Sequence, residues 1–100
     1  NVNVYKKNRE ILLEELPKAG FTTFSPPDGA FYIYVDISKF SNDSLSFCKR
    51  VLDEAGVAIT PGLDFDQIRG SSTIRFSYAR STDDITEGAT RIKKFMLKNY

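Results

Sequence analysis

The chain has 100 residues, 41% of them hydrophobic and 27% charged, and its 14 Lys+Arg against 13 Asp+Glu leave a formal net charge of +1. That near balance argues against a nucleic-acid surface, which needs a basic excess on one face, and no apolar run approaches the roughly 20 residues that span a bilayer. With no histidine and one cysteine, Cys48, the stock for a zinc site, a Ser-His-Asp or Cys-His machine or an internal disulfide is missing.

These limits predict a single soluble domain over residues 1–100 with a modest core. The lone cysteine and the polar opening, Asn1 to Glu10, which carries no signal-peptide pattern, predict a cytoplasmic setting.

Tyr5, Leu12, Leu16 and Ala19 recur at helical spacing among charges, so the chain begins with an amphipathic helix. Pro17 ends its regular part near Leu16, and Gly20 is a stop. Phe21 to Phe24 is a short strand candidate. Pro26-Pro27-Asp28-Gly29 is a turn. Ala30 to Ile37 is the clearest strand, with Phe31, Ile33, Val35 and Ile37 on one face and Tyr32 and Tyr34 on the other. Both faces are bulky, which predicts a central or doubly covered strand.

Asn42-Asp43-Ser44 caps a second helix whose predicted stripe is Leu45, Cys48, Leu52 and Ala55, and Gly56 ends it. Val57 to Thr60 is a short strand stopped by Pro61-Gly62. Leu63 to Ser72 is a polar loop, and Thr73 to Ala79 is another strand. Ser81 or Thr82 caps a last helix buried through Ile85, Ala89, Ile92 and Met96, with Phe95 at the edge. The order α-β-β-α-β-β-α predicts an α+β fold: a small antiparallel or mixed sheet of about four strands, with helices mainly on one face.

Arg75 is the leading candidate for chemistry. It points away from Ile74, Phe76 and Tyr78, beside the small residues Ser77 and Ala79. Two roles fit: a solvated arginine on an outer sheet face, or a fork of donors gripping a carboxylate or phosphate. Thr60-Pro61-Gly62 fits either a plain strand end or a rigid turn bringing backbone near a ligand. Phe31 and Tyr32 fit core or pocket. Lys39, after Ser38, belongs to an exposed loop, and Cys48 on the second helix is a buried thiol.

Three segments carry a resemblance. Pro27-Asp28-Gly29-Ala30-Phe31-Tyr32, followed by a hydrophobic strand with Asp36, resembles the P-x-G-A-F-Y segment of class I/II, fold-type I aminotransferases. Glu54-Ala55-Gly56-Val57-Ala58-Ile59-Thr60-Pro61-Gly62 is similar to their E-A-G-V-x-V-x-P-G segment. Ile74-Arg75-Phe76-Ser77-Tyr78-Ala79 is similar to their I-R-[IF]-S-[YF]-A strand, and Glu87, Arg91 and Ile92 match the family ending. The order and spacing hold across essentially the whole chain. After Gly62 the sequence departs: Leu63-Asp64-Phe65-Asp66 stands where many members have S-x-F-G, and only Phe65 agrees.

The resemblance implies a C-terminal small domain. In this family a large domain of the same chain carries the lysine and most of the phosphate-binding groups for pyridoxal 5′-phosphate. The length is then that of a part, without activity on its own. Arg75 matches the arginine that binds the substrate α-carboxylate. Phe31 matches a position near the substrate pocket, and Pro61 and Gly62 match the loop bordering the active site. No residue of this chain is expected to be catalytic, to bind the cofactor or to hold a metal. The implied full enzyme, of the aspartate/aromatic type, moves an amino group between an amino acid and a 2-oxo acid, and is a homodimer. Two alternatives are the small domain of a related pyridoxal-phosphate carbon–sulfur lyase and a stand-alone α+β binding module. An RNA-binding sheet fits poorly, because the element order is not β-α-β-β-α-β.

Overall fold

The computed structural model describes residues 2–22, 24–25 and 31–100. The predicted Pro26–Gly29 turn and Ala30 lie outside the described residues. Helix α1 (Val2–Glu15) is followed by a 3-10 turn (Pro17–Ala19), and Gly20 closes that turn in the left-handed region at φ 101°. Proline suits this position because the first N–H of a helical turn needs no partner.

Strand β1 is Phe24–Ser25, three residues later than predicted. Phe21 instead belongs to the helix end, where its N–H donates to the Leu16 carbonyl (3.1 Å) and its ring is fully buried. The aromatic residue that read as strand is a core plug at a chain reversal.

Strands β2 (Tyr32–Asp36), β3 (Thr60–Pro61) and β4 (Thr73–Ser77) complete a four-stranded sheet in the order β1-β2-β4-β3, with every pairing antiparallel. Pro61 lies within the edge strand β3 rather than beyond it. An edge tolerates proline, which has no N–H to give the ladder.

The helices are α2 (Ser44–Ala55) and α3 (Thr82–Asn99). Asp43 caps α2 by accepting from the Ser46 N–H (3.1 Å), and Ser81 caps α3 by accepting from the Asp84 N–H (3.1 Å). Asp83 and Asp84 in the first turn and Lys98 in the last turn of α3 have the signs its dipole favours.

One core joins these elements. Ile33, Val35, Ile74 and Phe76 supply the sheet side, and Leu12, Leu16, Phe47, Val51, Ile85 and Ile92 supply the helix side. The expected stripe of α2 is corrected. Ser44, Phe47, Cys48 and Val51 face inward, while Leu45 and Leu52 are exposed. The helix is turned by about one residue because Phe47 makes edge-to-face contacts with Phe21 and Phe95. Phe95 is likewise core, not edge.

Asn8 is the polar tie of the fold. It is fully buried in α1, and its amide donates to the carbonyls of Tyr78 (3.1 Å) and Arg80 (2.6 Å). Its own oxygen accepts from the Thr82 hydroxyl (2.8 Å). One side chain therefore links α1 to the chain between β4 and α3. Asn8→Leu strands these groups, each at about 1–3 kcal/mol when buried. A stability loss of about 2 kcal/mol is expected, read as a lower thermal midpoint. An unchanged midpoint would remove Asn8 from this role.

Glu15 ties α1 to α3 electrostatically. It accepts from Lys93 (2.7 Å) and pairs with Lys18 (2.7 Å). The hydrogen bond from Lys18, then that from Lys93, lowers its carboxyl from 4.5 to about 2. The carboxyl ionises more readily folded than unfolded, so its stabilisation is complete above about pH 4.5 and is lost as the pH falls toward about 2. Glu15→Gln should flatten that part of the acid-unfolding curve, and added salt should weaken the wild-type effect. Parallel acid curves for the two proteins would refute this linkage.

Candidate functional site

The β2–β4 pairing sets the site. Its register places Tyr32 opposite Ser77, Tyr34 opposite Arg75 and Asp36 opposite Thr73, while β3 places Thr60 on the other side of Arg75. Directly opposed residues share a face. Tyr34, Arg75 and Thr60 therefore form a row across the face away from the core.

Arg75 is half-buried on this face, although its neighbours Ser77 and Ala79 are small. Its guanidinium carbon lies 4.1 Å from the Tyr32 ring centroid and 4.9 Å from that of Phe65. Phe65 in turn meets Tyr34 edge-to-face at 5.2 Å. The Arg75 Nε is closed to solvent and has no hydrogen-bond partner among the described residues. Among the described residues no carboxylate pairs with this cation. Each ring contact contributes about 0.5–2 kcal/mol, while the unpaired N–H costs about 1–3 kcal/mol. The two are comparable, so the rings can hold the guanidinium in place without a counter-ion.

Phe65 reaches the sheet from a tightly built loop. A 3-10 turn at Gly62–Asp64 follows β3, and the Phe65 and Asp66 N–H groups both donate to the Gly62 carbonyl (3.0 and 2.7 Å). Gly62 packs against the Gly70 backbone so closely that a Cβ on it would stand 2.6 Å from the Thr73 oxygen and 2.7 Å from the Gly70 oxygen. Only glycine fits there. The Asp66 carboxylate accepts from the Ile68 and Arg69 N–H groups (2.9 Å each). These donors, Arg69 first, hold its carboxyl below the ordinary range. The buried Ser44 hydroxyl anchors the loop to α2 by donating to the Gly70 carbonyl.

The other candidates fall elsewhere. Pro61 sits opposite Ile74, one residue from the Thr60–Arg75 pair, and Gly62 buttresses the loop that brings Phe65 to Arg75. Phe31 lies on the helix-covered side, its ring edge-to-face with Tyr5 (5.2 Å) and Tyr78 (5.9 Å) and 43% exposed. Within this chain it is not brought together with Arg75. Lys39 is exposed, 5.7 Å from the Phe40 ring. Burial, and then the charge of Asp64, pushes the Cys48 thiol up to about 12, an unreactive state. A cleft of about 280 Å³ opens between α3 and residues 56–58, lined by Leu16, Val57, Arg80 and Glu87 among others. It does not include Arg75, whose surroundings are a shallow sheet face. Among the described residues no group of three or more His, Cys, Asp or Glu could hold a metal ion, and no helix is long and apolar enough to cross a membrane.

Tyr32 and Phe65 are the residues that sequence reading did not connect to Arg75. Tyr32 was legible as a same-face neighbour once β2 and β4 were paired. Phe65 stands in an irregular loop, where no periodicity tells which way a ring turns.

Comparison with known proteins shows the family. Residues 1–92 match the family described as aminotransferase class I and II. Valine–pyruvate aminotransferase of Mycobacterium tuberculosis is 46% identical over 96% of this chain and 25% of its own length. Aspartate aminotransferase of Thermotoga maritima is 35% identical over 95% of this chain and 23% of its own. The crystal structure of an aminotransferase from Mycobacterium tuberculosis superimposes with a TM-score of 0.93 at 45% identity, covering 98% of this chain and 25% of that one. The chain thus spans about a quarter of the length of the curated relatives it matches. It belongs to the class I and II aminotransferases, a family that uses pyridoxal phosphate.

Proposed function

We propose that this chain is the C-terminal small domain of an amino-acid aminotransferase and that Arg75 binds the substrate α-carboxylate. The observation that carries this reading is a half-buried guanidinium on a rigid strand, flanked by two rings and without a carboxylate partner among the described residues. A cation held in that way is ready for an anion. Its planar donor fork matches a carboxylate, with two parallel charge-assisted bonds.

The residues present do not fit the cofactor. A Schiff-base lysine must reach the reacting centre, yet every lysine of this chain stands on a helix or in a turn, exposed or, like Lys93, paired with Glu15. The cofactor lysine and its phosphate site belong, in this reading, to a large domain outside these residues, so the chain alone is inactive. What the chain contributes is orientation. Fixing the carboxylate fixes the position of the amino group and the Cα–H bond relative to the reacting centre. The shallow face around Arg75 fits a site closed by a second surface.

Valine with pyruvate is the first substrate pair to try, after the relative at 46% identity, and aspartate is the second. In the full-length enzyme, Arg75→Ala should lower kcat/KM for the amino acid by about a hundredfold or more, and Arg75→Lys should recover only part of it. The cofactor absorbance should stay as in the wild type. Unchanged kinetics in Arg75→Ala would overturn the carboxylate role. With an S-alkylcysteine as substrate, release of a thiol, ammonia and pyruvate in place of amino-group transfer would assign the lyase alternative.

A further inference from the structure

Among the described residues Phe65 is the one aromatic ring that reaches Arg75 from outside the strands, and the loop carrying it is tightly constrained. The Gly62–Gly70 backbone contact leaves no room for a Cβ, the Asp66 carboxylate caps two N–H groups, and Ser44 ties the loop to α2. The contact with Tyr34 also limits how the ring can tilt. On the sheet, Tyr32 offers a second ring at 4.1 Å from the guanidinium carbon. Between these contacts the Nε is shut from solvent and unpaired among the described residues.

We infer that Phe65, with Tyr32, is a positioning residue for the Arg75 guanidinium. The rings lie against the guanidinium, 4.1 and 4.9 Å from its carbon, and the closed Nε removes the side-on mode of carboxylate binding, which needs that donor. The two terminal nitrogens remain, so the carboxylate binds end-on. This assignment rests on the carboxylate reading of Arg75 and adds how the arginine is aimed. A π face attracts the cation without competing for its donors, whereas an acidic neighbour would occupy the fork.

The test uses the full-length holoenzyme and two probes that divide valine: isovalerate, which keeps the carboxylate, and isobutylamine, which keeps the amine. Phe65→Leu keeps an apolar side chain and removes the π face. It should weaken isovalerate binding about fivefold to tenfold. The single-turnover rate with isobutylamine should stay within about twofold of the wild type, while Phe65→Tyr restores isovalerate affinity. In an Arg75→Ala background Phe65→Leu should add nothing. If Phe65→Leu does not fold, Tyr32→Leu tests the second ring in the same way.

The inference is overturned if Phe65→Leu leaves isovalerate binding unchanged while Arg75→Ala weakens it. An equal loss with both probes, or an effect that persists without Arg75, also overturns it, since the ring would then act through packing alone. If Arg75→Ala itself leaves isovalerate binding unchanged, the carboxylate reading fails and this assignment fails with it.

Discussion

The antiparallel register of β2 on β4 is the constraint on which the rest depends. It sets Ile33 opposite Phe76 and Val35 opposite Ile74 on the core face, and Tyr34 opposite Arg75 on the other. Side chains alternate with a period of two, so a slip of β4 by one residue would carry a guanidinium into the core and Ile74 and Phe76 out of it. Burying that charge unpaired would cost several kcal/mol. The apolar face that stabilises the fold and the polar face that presents Arg75 are therefore specified by one pairing. Anything that holds the register also aims the arginine.

Two ties support that pairing from opposite ends. Asn8 grips the carbonyls of Tyr78 and Arg80 where the chain leaves β4, and the Ile37 N–H donates to the Ser72 carbonyl (2.8 Å) where the chain enters it. Between them, the five residues of β4 have little freedom to shift. In the proposed role of Arg75, rigidity in the strand matters more than strength in any one contact, because a two-point grip on a carboxylate is sensitive to small misplacements.

Much of this was legible in the sequence, where period and chemistry agree. Alternation over Ala30 to Ile37 and Thr73 to Ala79 identified the strands observed at Tyr32–Asp36 and Thr73–Ser77, and Asn42-Asp43-Ser44 and Ser81 or Thr82 marked the helix starts that Asp43 and Ser81 cap. The failures have physical causes. Leu45 and Leu52 form as good a helical repeat as the buried set, and only the fit of Phe47 between Phe21 and Phe95 decides which side turns inward. Phe21 reads as strand because aromatic residues favour strands, yet its backbone completes the end of a helix. Asn8 reads as a polar helix residue, and its burial depends on carbonyls about seventy positions away. The candidate site divides along the same line. Arg75 followed from alternation and resemblance. Phe65 above it depends on a loop whose shape comes from contacts between glycine backbones.

The exposure of the site has an energetic meaning. A carboxylate bound to an arginine in open water gains little, because both ions give up hydration and salt screens what remains. The same pair with water excluded gains considerably more, provided the cation is already aimed and need not reorganise. The rings of Tyr32 and Phe65 lie 4.1 and 4.9 Å from the guanidinium carbon, and its Nε is closed to solvent. In the proposed role, such a cation is half of a binding site: its orientation is set in advance, while its affinity waits on the surface that closes over it. In the proposed enzyme this favours a sequence of events in which substrate arrives at an open, correctly aimed fork and tight binding develops as water leaves. Specificity for the carboxylate would then be expressed mainly in the closed state, where an unpaired guanidinium is most costly.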